Sequence, residues 1–166
     1  MAFSAVGQRV DLVDAFRAGL NEIGFAEDRN VKIEFCWARA HYDRLPSLSA
    51  DLAARQVAVI CTWGLSGALA AKAATTKIPV IFSTGADPVE FGLVSSLNRP
   101  TGNLTGVAIL SNTLAPKQLE LLREVVPTAK LIAFLANPKN PIAASDTRDL
   151  QVAASAMGQQ ILVAQR

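Results

Sequence analysis

The sequence predicts an α/β fold, a Rossmann-like parallel sheet with flanking helices, and three observations carry that prediction. Residues 57–61 (VAVIC) and 78–82 (IPVIF) are short continuous apolar runs rich in β-branched residues, the composition of strands buried on both faces of a parallel sheet. Between them residues 66–75 are half alanine and long enough to cross back over the sheet as a helix. Outside this βαβ unit, strand-like and helix-like segments alternate along the rest of the chain, as α/β proteins require.

In chain order, residues 1–6 read as a short first strand. Val13, Phe16, Leu20 and Ile23 fall at helical spacing and Gly24 is a natural stop, which predicts an amphipathic helix over about residues 9–23. In VKIEFCW, Val31, Ile33, Phe35 and Trp37 alternate with Lys32, Glu34 and Cys36, the period of a half-exposed strand near a sheet edge. Asp43 is placed to cap the next helix. Pro46 suits its first turn, and Leu45, Leu48 and Leu52 form its buried stripe through Arg55. After the βαβ unit, a turn-rich cluster leads to a strand at 104–110 and a helix at 116–126 with Leu119, Leu122 and Val126 inward, ended by Pro127. A strand at 131–136, an NPKNP turn, a helix at 143–157 and a strand at 160–164 complete the pattern.

With 51% apolar and 18% charged residues and a net charge of +2, the 166-residue chain is globular and carries no field suited to nucleic acid or an anionic membrane. No apolar run is long enough to span a bilayer, and the first residues lack the pattern of an export signal. Cys36 and Cys61 both fall in predicted strands, where a thiol behaves as a small buried hydrophobe. His41 is the single histidine and has no nucleophile pattern beside it; it reads as a solvated turn residue. One histidine, two dispersed cysteines and no clustered carboxylates give no metal-ligand spacing. The Asn103-Leu104-Thr105 tripeptide matches an N-glycosylation acceptor, a short pattern that arises by chance.

Site candidates follow from topology. The loops after the two central strands, 62–66 and 83–87, lie at the same carboxyl edge of the sheet, where ligands bind in open α/β folds. Ser66 fits the cap of the helix it precedes and could also meet a ligand there, since a helix N-terminus favours a carboxylate or phosphate. Gly64 and Gly67 form no dinucleotide or P-loop pattern. Trp63 either covers the core beneath it or stacks on a ligand. Asp87 before Pro88 is the pattern of a helix cap; the alternative is an anion that pairs with a cationic part of a ligand, assisted by the Ser83 and Thr84 hydroxyls. Asn137 and Asn140 flank prolines, so turn chemistry accounts for them and ligand contact stays open.

Several longer runs carry a family resemblance: AFRAGLNEIGF, EFCWARAHYDRLPSLSADLAARQVAVI, ALAAKAATTKIPVIF, GADPVEFGLVSSLNRPTGNLTGVAIL and KQLELLREVVPTAKLIAFLANPKNP. Together they resemble the bacterial ABC-transporter substrate-binding proteins of the tryptophan/tyrosine type, across nearly the whole chain. The resemblance implies a type I periplasmic-binding-protein-like fold, with two α/β lobes closing on a small polar ligand, commonly an amino acid, for delivery to a membrane permease. It implies no catalysis and no cofactor. By that match the ligand-side residues are Thr62, Trp63, Gly64, Ser66, Ser83, Thr84, Gly85 and Asp87 on a first lobe over 1–110, and Asn112 and Asn137 on a partial second lobe over 111–166. Two departures stand out. Trp63-Gly64-Leu65-Ser66 replaces a Gly-Gly-Thr-Pro-like turn, and the second lobe is incomplete, which leads us to expect a homodimer that covers it. The family is extracytoplasmic; with no export signal in view, a cytoplasmic small-molecule sensor is the alternative. A Rossmann-like enzyme is the weaker rival, since no nucleophile, base or cofactor loop stands out.

Overall fold

A computed structural model describes residues 2–4, 10–39, 41–100, 102–110 and 114–165. Its order is β1 (Ala2–Ser4), α1 (Val10–Glu22), β2 (Phe35–Trp37), α2 (Leu45–Ala54), β3 (Ile60–Trp63), α3 (Leu65–Ala74), β4 (Val80–Thr84), β5 (Leu104–Ala108), α4 (Ala115–Val125), β6 (Leu131–Ala136), α5 (Ala143–Ala156) and β7 (Gln160–Gln165). The chain forms two compact units, Met1–Thr84 with Pro88–Val107, and Gly85–Asp87 with Ala108–Arg166.

The first unit holds a five-stranded sheet in the order β2-β1-β3-β4-β5, in which β1 pairs in parallel with β2 and β3, and β3 with β4. The chain winds outward from β1 to β2 in one direction and from β3 to β4 in the other, so the β1/β3 boundary is a topological switch point. Ile60, Val80 and Phe82 of the central strands are buried, as are Leu45, Leu52, Ala68 and Ala71 of α2 and α3. Gly106 fits β5 against β4 because a Cβ there would lie 2.0 Å from the Phe82 carbonyl oxygen.

Several boundaries differ from expectation for identifiable reasons. Strand β2 spans three residues rather than seven: among the described residues its pairing with β1 runs from Ala2↔Phe35 to Ser4↔Trp37, and Val31 makes just an isolated bridge to Glu27. The central strands sit about two residues later than their apolar runs. Asn103 accounts for the second of these shifts: its Nδ2 donates to Thr75 O and Ile78 O, and its carbonyl accepts from Val80 N, so the ladder begins at Val80. The same engagement gives Asn103 a structural role in place of a glycan.

Helix α1 ends as expected, with the Gly24 and Phe25 N–H groups returning to Asn21 and Leu20, but Ile23 then lies outside the helix and is exposed. Asp43 does not cap α2; it lies in a 3-10 turn over Tyr42–Arg44 that runs directly into the helix, with Arg44 at the cap. Cys36 and Cys61 are free, and with β1 between their strands they stand two strand spacings apart, roughly 10 Å, beyond disulfide reach. Burial is the main cause that pushes both thiols up, so they stay protonated.

In the second unit β6 and β7 pair in parallel over six residues, Leu131↔Gln160 to Ala136↔Gln165. Ile132, Phe134 and Ile161 on one face pack against a core of Leu119, Leu150, Ala153 and Ala154, which come from α4 and α5. Only Leu119 of α4 is buried. Leu122 and Val126, expected inward, are 41% and 42% exposed, because the two-stranded sheet is too narrow to underlie both helices.

Candidate functional site

The site candidates of the first unit converge on the carboxyl ends of β3 and β4. Thr62 and Trp63 were expected in a loop but are the last two residues of β3, in register with Phe82 and Ser83; Ser83 and Thr84 likewise end β4. The ladder extends this far because Trp63 is also matched by Ser4 of β1. Gly64 alone makes the turn. It adopts φ +83°, ψ +155°, a conformation essentially confined to glycine, and its N–H donates to Ser83 O at 2.8 Å, which ties the β3–α3 turn to β4.

Gly64, rather than Ser66, is the cap of α3, and having no side chain it makes no cap hydrogen bond to the helix's first N–H groups. Those groups and the positive end of the helix dipole face the sheet edge, an arrangement that attracts a carboxylate. The helix lies close on the sheet because Gly67, Ala68 and Ala71 are the residues it buries beside Leu65, leaving Ser66 half-buried.

Trp63 and Thr62 point to opposite faces by strand alternation. The Trp63 ring meets Phe16 of α1 edge to face, with centroids 5.6 Å apart, so much of its surface supports the packing of α1. It remains half-buried at the switch point. Phe16 was read only as a core residue of α1; its spacing gave its inward direction but could not give its partner. Thr62 is 3% exposed and its Oγ1 has no hydrogen-bond partner. A buried orphan hydroxyl costs about 1–3 kcal/mol, a reason to ask what it serves.

Gly85 and Asp87 belong to the second unit. The helix expected after Asp87 is instead a turn: Leu93 and Val94 both donate to Pro88 O, at 2.7 and 3.1 Å, and the burial of these two side chains folds the chain back before a helix can propagate. Asp87 therefore is not the cap of a helix. Asn137 is exposed, and its Oδ1 accepts from Lys139 N at 3.0 Å, the turn role; the Asn140 Oδ1 does the same for Ile142 N at 3.3 Å. Asn112 lies outside the described residues. His41 is exposed in a turn ahead of α2. Among the described residues no group of His, Cys, Asp or Glu is arranged to hold a metal, and no helix is long and apolar enough to cross a membrane.

A small polar edge of this kind, set at a parallel sheet's switch point, is a binding geometry. The model of the ABC transporter substrate binding protein family matches residues 7–165. The chain belongs to that family. A tyrosine-binding protein of Clostridioides difficile (strain R20291) is 33% identical over 122 residues, 74% of this chain and 35% of its own. A conserved domain protein from Vibrio cholerae superposes with TM-score 0.87 at 27% identity, covering 99% of this chain and 56% of that one. An ABC domain from Streptococcus pneumonia, solved in complex with L-Trp, does so with TM-score 0.83 at 24% identity and the same coverage. The chain thus spans little more than half the length of these solved relatives, and the family is one of binding proteins rather than enzymes.

Proposed function

We propose that this chain is the amino-acid-binding part of an ABC importer's substrate-binding protein, with an aromatic amino acid as ligand. The observation that carries the reading is the carboxyl edge of β3 and β4, where Thr62, Gly64, Ser66, Ser83 and Thr84 set small polar groups around the uncapped N-terminus of α3. In this reading the ligand carboxylate meets the first N–H groups of α3, and Asp87 pairs with its ammonium. Trp63 supplies the apolar wall, and Asn112 and Asn137 are the second lobe's contacts. Tyrosine is the first candidate because the C. difficile relative is a tyrosine-binding protein. Delivery to a membrane permease outside the cytoplasm belongs to the same reading on the strength of the family. Self-association of the isolated chain belongs to it on the strength of the exposed leucines of β6 and α4.

Thermal unfolding with L-tyrosine, L-tryptophan and non-aromatic amino acids tests it. Ligand at a hundredfold excess over Kd stabilises by about 2.7 kcal/mol, and an aromatic amino acid should give the largest shift. Asp87→Asn should weaken binding by about 1.5 kcal/mol or more with little change in stability. A flat response across all amino acids rejects the reading.

A further inference from the structure

We propose that Trp37 is the stacking platform for the ligand's aromatic ring, an inference that rests on the amino-acid-binding reading above and assigns the choice of side chain to the end of β2. The register of the sheet places it. Trp37 pairs with Ser4, Ser4 with Trp63 and Trp63 with Ser83, all in one row across the carboxyl edge. Residues in one row of a sheet share a face, so Trp37 stands on the same face as Trp63, two strand spacings or roughly 10 Å away. Helix α1 covers this face, through Phe16 on Trp63 and Arg17 on Phe35.

The two indoles differ in what packing leaves to them. Trp63 is met edge to face by Phe16, whereas Trp37 is the last layer of a stack. Its ring lies within 4° of parallel to that of Phe35, with centroids 5.8 Å apart, and the Arg17 guanidinium sits over the Phe35 ring at 5.0 Å. Helix α1 joins two parallel strands and so runs back against them; Arg17, one residue past Phe16, approaches Phe35 from the amino side, away from Trp37. The column of Arg17, Phe35 and Trp37 therefore climbs β2 toward the carboxyl edge. It stops there, because Arg39, which strand alternation would set next, has φ +53° and is exposed. Phe35 is the one ring that Trp37 meets among the described residues, and Trp37 is half-buried. Its other face points past the strand's end, into the crevice where α/β sheets bind ligands.

A flat ring laid on that face continues the stack as its next layer. An amino acid held by its carboxylate at the first turn of α3 directs its side chain across the end of β1 toward β2, and an aromatic side chain bridges more of that distance than a branched aliphatic one. Trp63 remains the side wall. The platform is also preorganised: the Arg17 Nε donates to Glu27 Oε2 at 2.8 Å, which fixes the guanidinium on Phe35, and Phe35 backs the indole, so little side-chain freedom is lost when a ligand stacks.

The test titrates the 166-residue chain with L-tyrosine, L-tryptophan and L-leucine, as wild type and as Trp37→Leu and Trp37→Phe. Trp37→Leu should lower the preference for L-tyrosine over L-leucine about tenfold, and Trp37→Phe, which keeps a ring, should retain most of it. A second measurement does not depend on those variants folding. In Trp63→Phe the single tryptophan left is Trp37, and its emission, excited where tyrosine does not absorb, should shift when L-tyrosine is added. Wild-type binding with a preference indifferent to Trp37→Leu overturns this inference and leaves the amino-acid reading standing. An equal loss for L-leucine does the same, since it marks a structural role, and so does an unmoved Trp37 emission. A wild-type chain that binds none of the three amino acids rejects the amino-acid reading itself, and this inference with it.

Discussion

One β/α alternation produces two unlike results within this chain. In the first unit five strands share one sheet, and its central strands and the helices on them bury Leu45, Leu52, Ile60 and Val80 almost completely. In the second, two strands carry two helices, most of the apolar residues of α4 stay exposed, and a cavity opens beside β6. The difference lies in the number of strands rather than in their quality: β6, LIAFLA, is as apolar as any strand of the first unit. A sheet two strands wide cannot seat two helices on one face and has nothing to set on the other. Six of the ten candidate binding residues belong to the first unit, four of them, Thr62, Trp63, Ser83 and Thr84, on its sheet.

The sharpest way to probe this contrast is to remove one buried leucine from each unit. Leu52→Ala in α2 should cost about 4 kcal/mol, since the close-packed core around it cannot collapse to fill the space. Leu119→Ala in α4 should cost about 2 kcal/mol, the low end for such a change, because Leu119 already borders an open cavity and loses fewer contacts. Denaturant unfolding of both variants checks the ratio, and equal losses would break the comparison. Next in size is Gly106→Ala. The added methyl drives β5 off the Phe82 carbonyl of β4 and should cost about 2 kcal/mol.

Much of the fold was legible from periodicity, including every strand and helix of the second unit to within a residue or two. What was not legible came from pairing. Nothing in VKIEFCW says that Phe35–Trp37 is the part that pairs with β1, and nothing in IPVIF says that Asn103, more than twenty residues later, will hold Ile78 out of the ladder. The site was legible as an edge but not in detail. The sequence placed Thr62 and Ser83 beyond their strands because hydroxyl residues read as loop, whereas pairing of Thr62 to β1 and β4, and of Ser83 to Trp63 of β3, keeps them in the sheet. Ser66 looked like the cap, yet the glycine two positions earlier makes the turn and takes that place. The exposure of Leu122 was beyond reach, because a helical stripe shows which side is apolar and not whether a strand lies beneath it.

A smaller effect distinguishes the units through pH. Burial, and then the nearby Asp149 charge, raise the Asp146 carboxyl above its ordinary value of 3.8. With the folded value above the unfolded one, the protonated form favours the folded state. The contribution is fully present below the unfolded value and is lost as pH rises through the folded value. The second unit should therefore gain stability on mild acidification from neutral pH, and Asp146→Asn should remove that gain while leaving the first unit's profile unchanged. Unfolding transitions followed from pH 7 to 4 check it.

Site-resolved hydrogen exchange of the unliganded chain tests most directly whether one unit is finished and the other is not. Amides of β3 and β4, paired on both sides, should exchange only through global opening of the first unit. Those of β6 and β7 should exchange much faster, at a free energy well below that of the first sheet. Equal protection of β6 and β3 in a monomeric sample would contradict the account, because it would mean that two strands and two helices complete the second unit on their own.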